Sequence, residues 1–231
     1  MSNDKNKFYA EYDAFENSLL AQFVRESPLQ HLSTVSREQF ISLLLQLGHL
    51  SDMFVWWLQR IKHSLVTSEA SVIIQSILED EVPVGQPTHQ DNRRYDLVEI
   101  MGVSPERFMN EPATEATKEA LVNARRVIEL GELSCMTAFR LFGELLVGET
   151  YEHVALYMTA KLGIAEQTSR FYVPHRNEDR KARKGGHPGL FESYLRTQIN
   201  SPEALEVAKR GAMYGYEARL AFVQQFAQAW Q

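Results

Sequence analysis

The sequence contains one cysteine, Cys135, among its 231 residues. A single cysteine excludes an intramolecular disulfide and every Cys-x-x-Cys metal or redox motif. Its neighbours Leu133, Met136 and Phe139 are apolar, which favours a thiol in the core, with a catalytic nucleophile as the alternative.

The sequence also lacks a long apolar run and an excess of positive charge. No stretch reaches the roughly 18 to 20 apolar residues that a membrane span requires, and no apolar signal core follows the polar residues 1–5. The net charge of −6 argues against nucleic acid, because phosphate binding requires a basic surface. We therefore expect a cytoplasmic protein with a small-molecule ligand and with neither a membrane nor a nucleic-acid partner.

Strand signals are missing as well, since no alternating apolar segment is bounded by Asn-Gly or Asp-Gly turns. Apolar residues recur instead with helical spacing from end to end. The prediction is an all-α fold with about seven to nine helices in one domain over residues 1–231, with an N-terminal helix within residues 1–30 and a bundle over residues 36–231. The charged fraction of 23% and the hydrophobic fraction of 44% are ordinary for such a domain.

Start and stop signals define several of these helices. Ser36 with Gln39 forms a predicted capping box ahead of a long apolar helix, and the tripeptides 104–106 and 201–203 (both Ser-Pro-Glu) predict two further helix starts. Residues 133–162 read as one continuous helix. Residues 166–184 read as helix around Pro174, ended by Gly185 and Gly186.

Histidines and carboxylates stand at metal-ligand spacing in two places. His175 and Asp179 are four residues apart, so a helix would place both side chains on one face. Glu79 lies at the end of the predicted third helix, ten residues before His89. A solvated surface contact is the plain alternative for each pair, and the spacing by itself leaves both interpretations open.

Two acids interrupt strongly apolar helices. Glu149 follows the apolar residues 145–147 and precedes His153 by four residues, and Asp52 directly precedes the apolar residues 53–57. A buried carboxylate is costly unless it is paired or bound to a cation. Both acids are therefore candidate ligands, although Asp52 could also lie on the exposed side of its helix.

The order of these residues resembles the ligand order of the heme-oxygenase-like di-iron oxidases and oxygenases, the CADD-like proteins. Those enzymes take a carboxylate from an early core helix, a glutamate shortly before a histidine, a glutamate from a later helix, and a final His-x-x-x-Asp-x-x-His cluster. The matching positions here are Asp52, Glu79, His89, Glu149, His175 and Asp179. Glu81 is the alternative to Glu79.

Three segments carry the rest of the resemblance. Residues 78–89 (LEDEVPVGQPTH) are similar to the family's acidic helix end, glycine turn and histidine, and residues 171–179 (FYVPHRNED) to its aromatic pair ahead of the His-x-x-x-Asp cluster. The Ala-rich segment 208–230 is similar to its last helix. The resemblance implies a heme-oxygenase-like (TenA/PqqC-like) bundle that binds iron, in a mononuclear or di-iron site, and oxidises a small organic substrate. It leaves assembly as a homodimer open.

The resemblance also implies an apolar substrate pocket among the helices, which we expect to include Trp56, Phe139 and Tyr172. Heme itself is not expected. A heme oxygenase takes its proximal histidine from the start of its first helix, whereas the nearest candidate, His31, follows Pro28 in a predicted turn.

Two positions depart from the family pattern. Ala182 stands where the final histidine of the cluster belongs, and His187, five residues later, could replace it only if the chain folds back. Asp52 stands where a glutamate is more usual. The second metal position is therefore the less secure part of the expected site.

Other functions on the same fold stay open. A TenA-like thiamin-metabolising enzyme would use Cys135 as its nucleophile, a PqqC-like enzyme would act without a metal cofactor, and a degenerate relative would bind a ligand without catalysis. A ferritin-like di-iron bundle requires paired Glu-x-x-His motifs, which this sequence lacks.

Overall fold

Helices make up all the regular structure in residues 3–179 and 186–230, the residues that the computed structural model describes. The α-helices are α1 Asn3–Glu26, α2 Arg37–Ser64, α3 Ser68–Glu81, α4 His89–Arg94, α5 Pro105–Asn110, α6 Glu115–Arg126, α7 Glu132–Phe139, α8 Leu146–Leu162, α9 Tyr172–Glu178, α10 His187–Gln198 and α11 Pro202–Gln224. Short 3-10 segments occur at Pro28–Thr34, Val127–Leu130 and Glu166–Thr168, and π-helical segments at Tyr95–Ile100 and Arg140–Leu145. The all-α prediction is confirmed.

The described residues contain eleven α-helices, whereas the sequence predicted seven to nine. One additional helix is α10, which starts immediately after the predicted Gly185–Gly186 break and has Pro188 in its first turn. The other arises because the π segment Arg140–Leu145 divides the predicted helix over residues 133–162 into α7 and α8. Propensity and spacing do not reveal a π turn, because it contains the same kinds of residues as the α-helix around it.

The segment around Pro174 is shorter than predicted within the described chain. Helix α9 begins at Tyr172, so Pro174 lies in the first turn, where its missing N–H would have had no helical partner. The helix ends before Asp179, and residues 180–184 of the predicted segment lie outside the described residues.

Helix α2 is the longest helix of the described chain, and many of its side chains are buried. Its predicted capping box is confirmed: the Gln39 N–H donates to the Ser36 hydroxyl at 3.2 Å, and the Ser36 N–H donates to the Gln39 side chain at 2.8 Å. By length and composition α2 could cross a membrane, but 61% of its most apolar window is buried inside the bundle. Core helices of soluble proteins share these properties, so α2 is weak evidence for a membrane span.

A buried ion pair attaches α1 to the π segment that joins α7 to α8. Glu16 and Arg140 are both almost fully buried, with 3.1 Å between carboxylate and guanidinium, and the Tyr12 hydroxyl donates to Glu16 at 3.0 Å. All six residues of the segment are buried. The π segment has two charged side chains. Arg140 pairs with Glu16 of α1, whereas Glu144 points into the interior of the bundle.

Helices α7 and α11 pack with their backbones in close approach, and two glycines of α11 make this possible. A Cβ atom at Gly211 would lie 2.3 Å from the Ser134 carbonyl oxygen, and one at Gly215 would lie 2.5 Å from that of Ala138. Both distances are far inside van der Waals contact. The glycines are therefore required by packing, although glycine lowers intrinsic helix stability by about 1 kcal/mol relative to alanine.

We expect Gly215→Ala to lower the free energy of unfolding by about 1–3 kcal/mol, because the new methyl group overpacks the α7 interface. Chemical denaturation measures this. The exposed neighbour Glu217→Ala on the same helix is the control and should change stability by less than about 0.5 kcal/mol. If Gly215→Ala were instead more stable, helix propensity would dominate and the close-packing interpretation would be wrong.

Candidate metal centre

A cavity of about 290 Å³ lies between the helices of the bundle. Helix α2 and the π segment Arg140–Leu145 supply much of its apolar wall, and α3, α4, α8, α9, α10 and α11 complete it. The apolar side chains that line it include Leu47, Leu50, Met53, Phe54, Trp57, Phe142, Val147 and Phe171. Against this wall, six histidine and carboxylate side chains line the cavity as two groups of three.

The first ligand group consists of Glu81, His89 and His175, whose ligand atoms lie within 4.8 Å of one another. Nδ1 of His89 is 2.5 Å from Oε2 of Glu81, and the two imidazole rings are 4.4 Å apart between centroids. Two imidazoles and one carboxylate are the donor set found at many non-heme iron sites.

The tautomer of His175 is fixed by a hydrogen bond to the backbone of the preceding helical turn. Its Nδ1–H donates to the carbonyl oxygen of Phe171 at 2.8 Å, so Nε2 keeps the lone pair that can bind a metal ion. Burial, followed by the nearby His89, lowers the pKa of His175 to about 4. The ring is therefore neutral at physiological pH, as a metal ligand has to be.

The second ligand group consists of Glu144, Asp179 and His187, and all three side chains are buried. Nδ1 of His187 lies 3.1 Å from Oε2 of Glu144 and 3.6 Å from Oδ1 of Asp179. On the other side of the ring, Nε2 lies 3.1 Å from the exposed carboxylate of Asp80. Asp80 therefore has the position of the carboxylate that commonly orients a metal-binding histidine.

The acids of the second ligand group are poorly compensated. Among the described residues, no N–H or hydroxyl group donates to either carboxylate oxygen of Asp179 or to Oε1 of Glu144. The two carboxyl groups interact directly with each other instead. Burial raises the pKa of both carboxyl groups, and their mutual repulsion adds to the rise at Asp179. Burial alone would lower the pKa of His187, but Glu144 and Asp179 raise it to about 10. One imidazolium then faces two buried acids, and a bound cation would balance the remaining charge.

The two groups belong to one electrostatic unit. The charge of Glu81 contributes to the raised pKa of both Glu144 and Asp179, and His187 contributes to the lowered pKa of His175. All six side chains line the same cavity. The residues thus fit two hard cations held side by side by carboxylates and imidazoles.

A buried carboxylate, Asp96, positions α9 and with it two of the ligands. Asp96 accepts hydrogen bonds from the Ser169 hydroxyl at 2.6 Å and from the three backbone N–H groups of residues 170–172 at 2.8, 3.0 and 3.3 Å. These donors lie at the N-terminus of α9, so Asp96 caps the helix that carries His175 and ends next to Asp179.

The close approach of Asp179 to α8 depends on Gly148. A Cβ atom at this position would lie 2.8 Å from the carbonyl oxygen of Asp179 and 3.3 Å from its Cβ atom. A larger residue at position 148 would push the backbone at Asp179 away from α8. Gly148 therefore sets where the Asp179 carboxylate lies relative to Glu144 on the preceding π segment.

The structure brings three of the six predicted ligands into the two groups: His89, His175 and Asp179. The other three predicted ligands, Asp52, Glu79 and Glu149, lie outside the groups. The remaining members of the groups are Glu81, Glu144 and His187. Each difference has a physical reason.

Glu79 and Glu81 lie two residues apart at the end of α3, so they point to opposite sides of the helix. Glu79 is exposed and accepts a hydrogen bond from Gln75 at 2.7 Å. Glu81 is buried, with its carboxylate on His89. The sequence signal for Glu81 was available, because it continues the buried positions Ile74 and Ile77 at helical spacing.

Glu144 was missed because the π segment was not foreseen. Glu149 is partly buried and lies outside both ligand groups, while Glu144 is 1% exposed within the π segment. A π turn adds the equivalent of one residue, which rotates the following helix by about 100° relative to an uninterrupted α-helix. One signal did exist: Glu144, Gly148 and Tyr151 share one face of the helix, and all three positions are buried.

Asp52 lines the mouth of the cavity but lies outside both groups, because its carboxylate pairs with the buried guanidinium of Arg93. Gly48 provides the space that this guanidinium occupies, since a Cβ atom there would collide with it. His187, which the sequence offered only as a substitute, lies in the second ligand group at the start of α10. Ala182, where the family pattern has a histidine, lies outside the described residues.

None of the three residues predicted to line the substrate pocket is among those that line the cavity. Trp56 is 42% exposed between the guanidinium groups of Arg60 and Arg125. Phe139 lies one layer behind the wall, with its ring 5.6 Å from Phe54.

Tyr172, the third of these residues, is fully buried. Its ring lies 5.3 Å from that of Tyr151, which does line the cavity. His31 is exposed in the first 3-10 segment and is also absent from the cavity lining.

Comparisons with known proteins show which solved structures share this fold. No protein-family model matches the chain, and no curated protein matches it. Two crystal structures, at 2.00 and 1.35 Å resolution, of a CADD-like protein of unknown function from Nostoc punctiforme PCC 73102 are similar to it.

The first of these structures has a TM-score of 0.73 at 16% identity and covers 95% of this chain and 98% of its own. The second has a TM-score of 0.69 at 14% identity and covers 96% of both. At such identities the likeness shows the fold, and here it extends over nearly the whole of each chain. The chain therefore has the same fold as these CADD-like structures, in agreement with the resemblance seen in its sequence.

Proposed function

We propose that this protein binds two iron ions in the cavity and catalyses the oxidation of a small organic molecule by dioxygen. The observation that supports the proposal is the pair of three-residue ligand groups that line one largely apolar cavity. Three of their buried carboxylate oxygens receive no hydrogen bond from an N–H or hydroxyl group of the described residues. The similar CADD-like structures are described as of unknown function, so they support the fold and not the reaction.

The donor set favours iron or manganese among the common metals. Carboxylate oxygens and imidazole nitrogens are present, and the thiolate that softer metals select is not. Bound iron with open coordination positions would supply the reaction with dioxygen. The second ligand group has a histidine in His187, so the alanine at position 182 does not by itself leave that group one ligand short.

The chain's own residues prepare the site for this chemistry. The Phe171 carbonyl holds the proton of His175 on Nδ1, and Asp80 accepts from Nε2 of His187, so each ring turns its other nitrogen toward its ligand group. Aliphatic and aromatic side chains, most of them on α2, make the rest of the cavity wall largely apolar. A small apolar substrate would occupy that space beside the ligand groups.

A thiol nucleophile, as in TenA-like enzymes, is disfavoured by the position of Cys135. The residue is 1% exposed on α7 and is absent from the cavity lining. Burial raises the pKa of its thiol to about 12, whereas reactive cysteines have a lowered pKa and partial exposure.

Metal loading tests the assignment of ligands with matched pairs of variants. After anaerobic Fe(II) loading and desalting, we expect two iron ions per chain, one for each ligand group, in the wild type, Glu79→Gln and Glu149→Gln. Glu81→Gln and Glu144→Gln should retain one or none. Metal analysis and the oxygen uptake of the loaded protein give the readouts. Loss of iron in the Glu79 and Glu149 variants, with full loading of the other two, would refute the assignment.

The cap that Asp96 provides is expected to matter for metal affinity. Asp96→Ala leaves four hydrogen-bond donors of residues 169–172 without their acceptor and should weaken Fe(II) or Mn(II) affinity by on the order of tenfold or more, because α9 loses its position. Competitive chelator titration measures the affinity. Ser104→Ala removes the N-cap of α5, away from the cavity, and should leave metal affinity unchanged. Equal affinities in all three proteins would contradict the positioning role.

The thiol of Cys135 should be unreactive in the folded protein. At pH 8 we expect iodoacetamide to label it about a hundredfold or more slowly than the thiol of the denatured chain, because burial blocks access and the raised pKa keeps it protonated. Mass spectrometry follows the labelling. Rapid labelling of the native protein would return Cys135 to consideration as a nucleophile.

A further inference from the structure

A buried arginine, Arg219 on α11, lines the cavity without an ion pair to any acid of the described residues. Its side chain is 2% exposed, and its one hydrogen bond within the described part of the chain is a long one of 3.3 Å to the Thr150 hydroxyl. Nε of Arg219 is buried and has no partner.

The other three buried arginines of the described chain each have a carboxylate. Arg93 pairs with Asp52, Arg140 with Glu16, and Arg176 with Glu166. Among the described residues, no carboxylate lies within ion-pair distance of Arg219, although the charge of Asp179 offsets part of the effect of burial on its pKa. Arg219 is therefore the exception among the buried arginines of the described chain, since the others each form an ion pair with a carboxylate.

Such an arrangement is costly without a further anion. Removing a guanidinium from water requires a counter-charge or several hydrogen bonds in return. The faces of Phe142 and Phe222, at 5.6 and 5.8 Å, offset only part of that cost. Burial lowers the pKa of Arg219 to about 10, so the group is still a cation at neutral pH.

The cavity around Arg219 is shaped for a short apolar acid. Its volume of about 290 Å³ corresponds to on the order of ten water-sized groups. Away from the ligand groups, the wall is formed by side chains such as Met53, Phe54 and Val147. Arg93 also lines the cavity, but its guanidinium is occupied by Asp52 at the mouth.

We propose that Arg219 binds the carboxylate of the substrate, whose apolar body lies along the α2 wall, so that the substrate class is a small apolar carboxylic acid. That this acid is the substrate of an oxidation rests on the function proposed above, whereas the binding of the acid to Arg219 does not. The unpaired Nε and the adjacent Nη atoms form a planar fork that matches the two oxygens of a carboxylate. A phosphate would bring more charge than one guanidinium balances, into a largely apolar space.

The experiment compares octanoate with octanamide, which has the same shape without the charge. Calorimetric titrations use metal-free and zinc-loaded protein, because zinc holds the site without redox chemistry. For the wild type in both metal states, we expect octanoate to bind at least about tenfold more tightly than octanamide.

Three variants locate the origin of the preference. Arg219→Gln should abolish it, and Arg219→Lys should keep part of it, because an ammonium retains the charge but not the fork. Arg93→Gln, which alters the other arginine of the lining, should leave the ratio of the two affinities unchanged. Circular dichroism and zinc stoichiometry establish that each variant is folded. If Arg219→Gln does not fold, the partial loss in Arg219→Lys is the deciding measurement.

The proposal is overturned if the wild type does not bind octanoate more tightly than octanamide. It is also overturned if the tenfold preference for octanoate persists in folded Arg219→Gln or is undiminished in Arg219→Lys. Loss of the preference in Arg93→Gln would overturn it as well. A preference seen only with zinc and independent of Arg219 would mean that the metal binds the acid, which overturns the role of Arg219 and supports the metal site. An Arg219-dependent preference in a protein that takes up no iron would support the anchor and contradict the proposed oxidase.

Discussion

The candidate centre depends above all on the hydrogen bonds that Asp96 accepts at the start of α9. This one carboxylate, fully buried on the π segment after α4, accepts four donors from residues 169–172. His89 begins the helix that runs into Asp96, and His175 lies on the helix that Asp96 caps. The cap therefore joins parts of the chain 73 to 76 residues apart and helps to position the two histidines of the first ligand group relative to each other.

Charge governs the rest of the interior. Three acids, Glu81, Glu144 and Asp179, are buried beside one cavity, and burial raises the pKa of the last two. A fold selected for stability alone would place apolar side chains there. The same cavity is lined by a cationic group, Arg219, which forms no ion pair with any carboxylate of the described chain, although the charge of Asp179 acts on it. Buried groups of both signs therefore line one cavity.

Sequence patterns predicted the parts of the site that depend on local spacing. His175 and Asp179 are four residues apart, and His89 follows an acidic helix end, so these three positions could be named from the chain alone. Glu81 was named only as an alternative, since adjacent acids at a helix end differ in the face they occupy. Glu144 was missed because π turns change the helical register without a distinct composition. The expected pocket residues are absent from the cavity lining for a related reason: periodicity shows that Phe139 is buried, but not which layer of the core it joins.

The sequence by itself determined the all-α fold and most helix starts. Caps such as Ser36 with Gln39, and proline at the first helical position, act within one turn, and apolar spacing decides which face is buried. Tertiary structure alone decided which acids meet. Glu144 faces His187 because a π turn, the glycine at 148 and the packing of α10 bring three distant segments together. Convergence of that kind depends on helix positions in space, which no local pattern encodes.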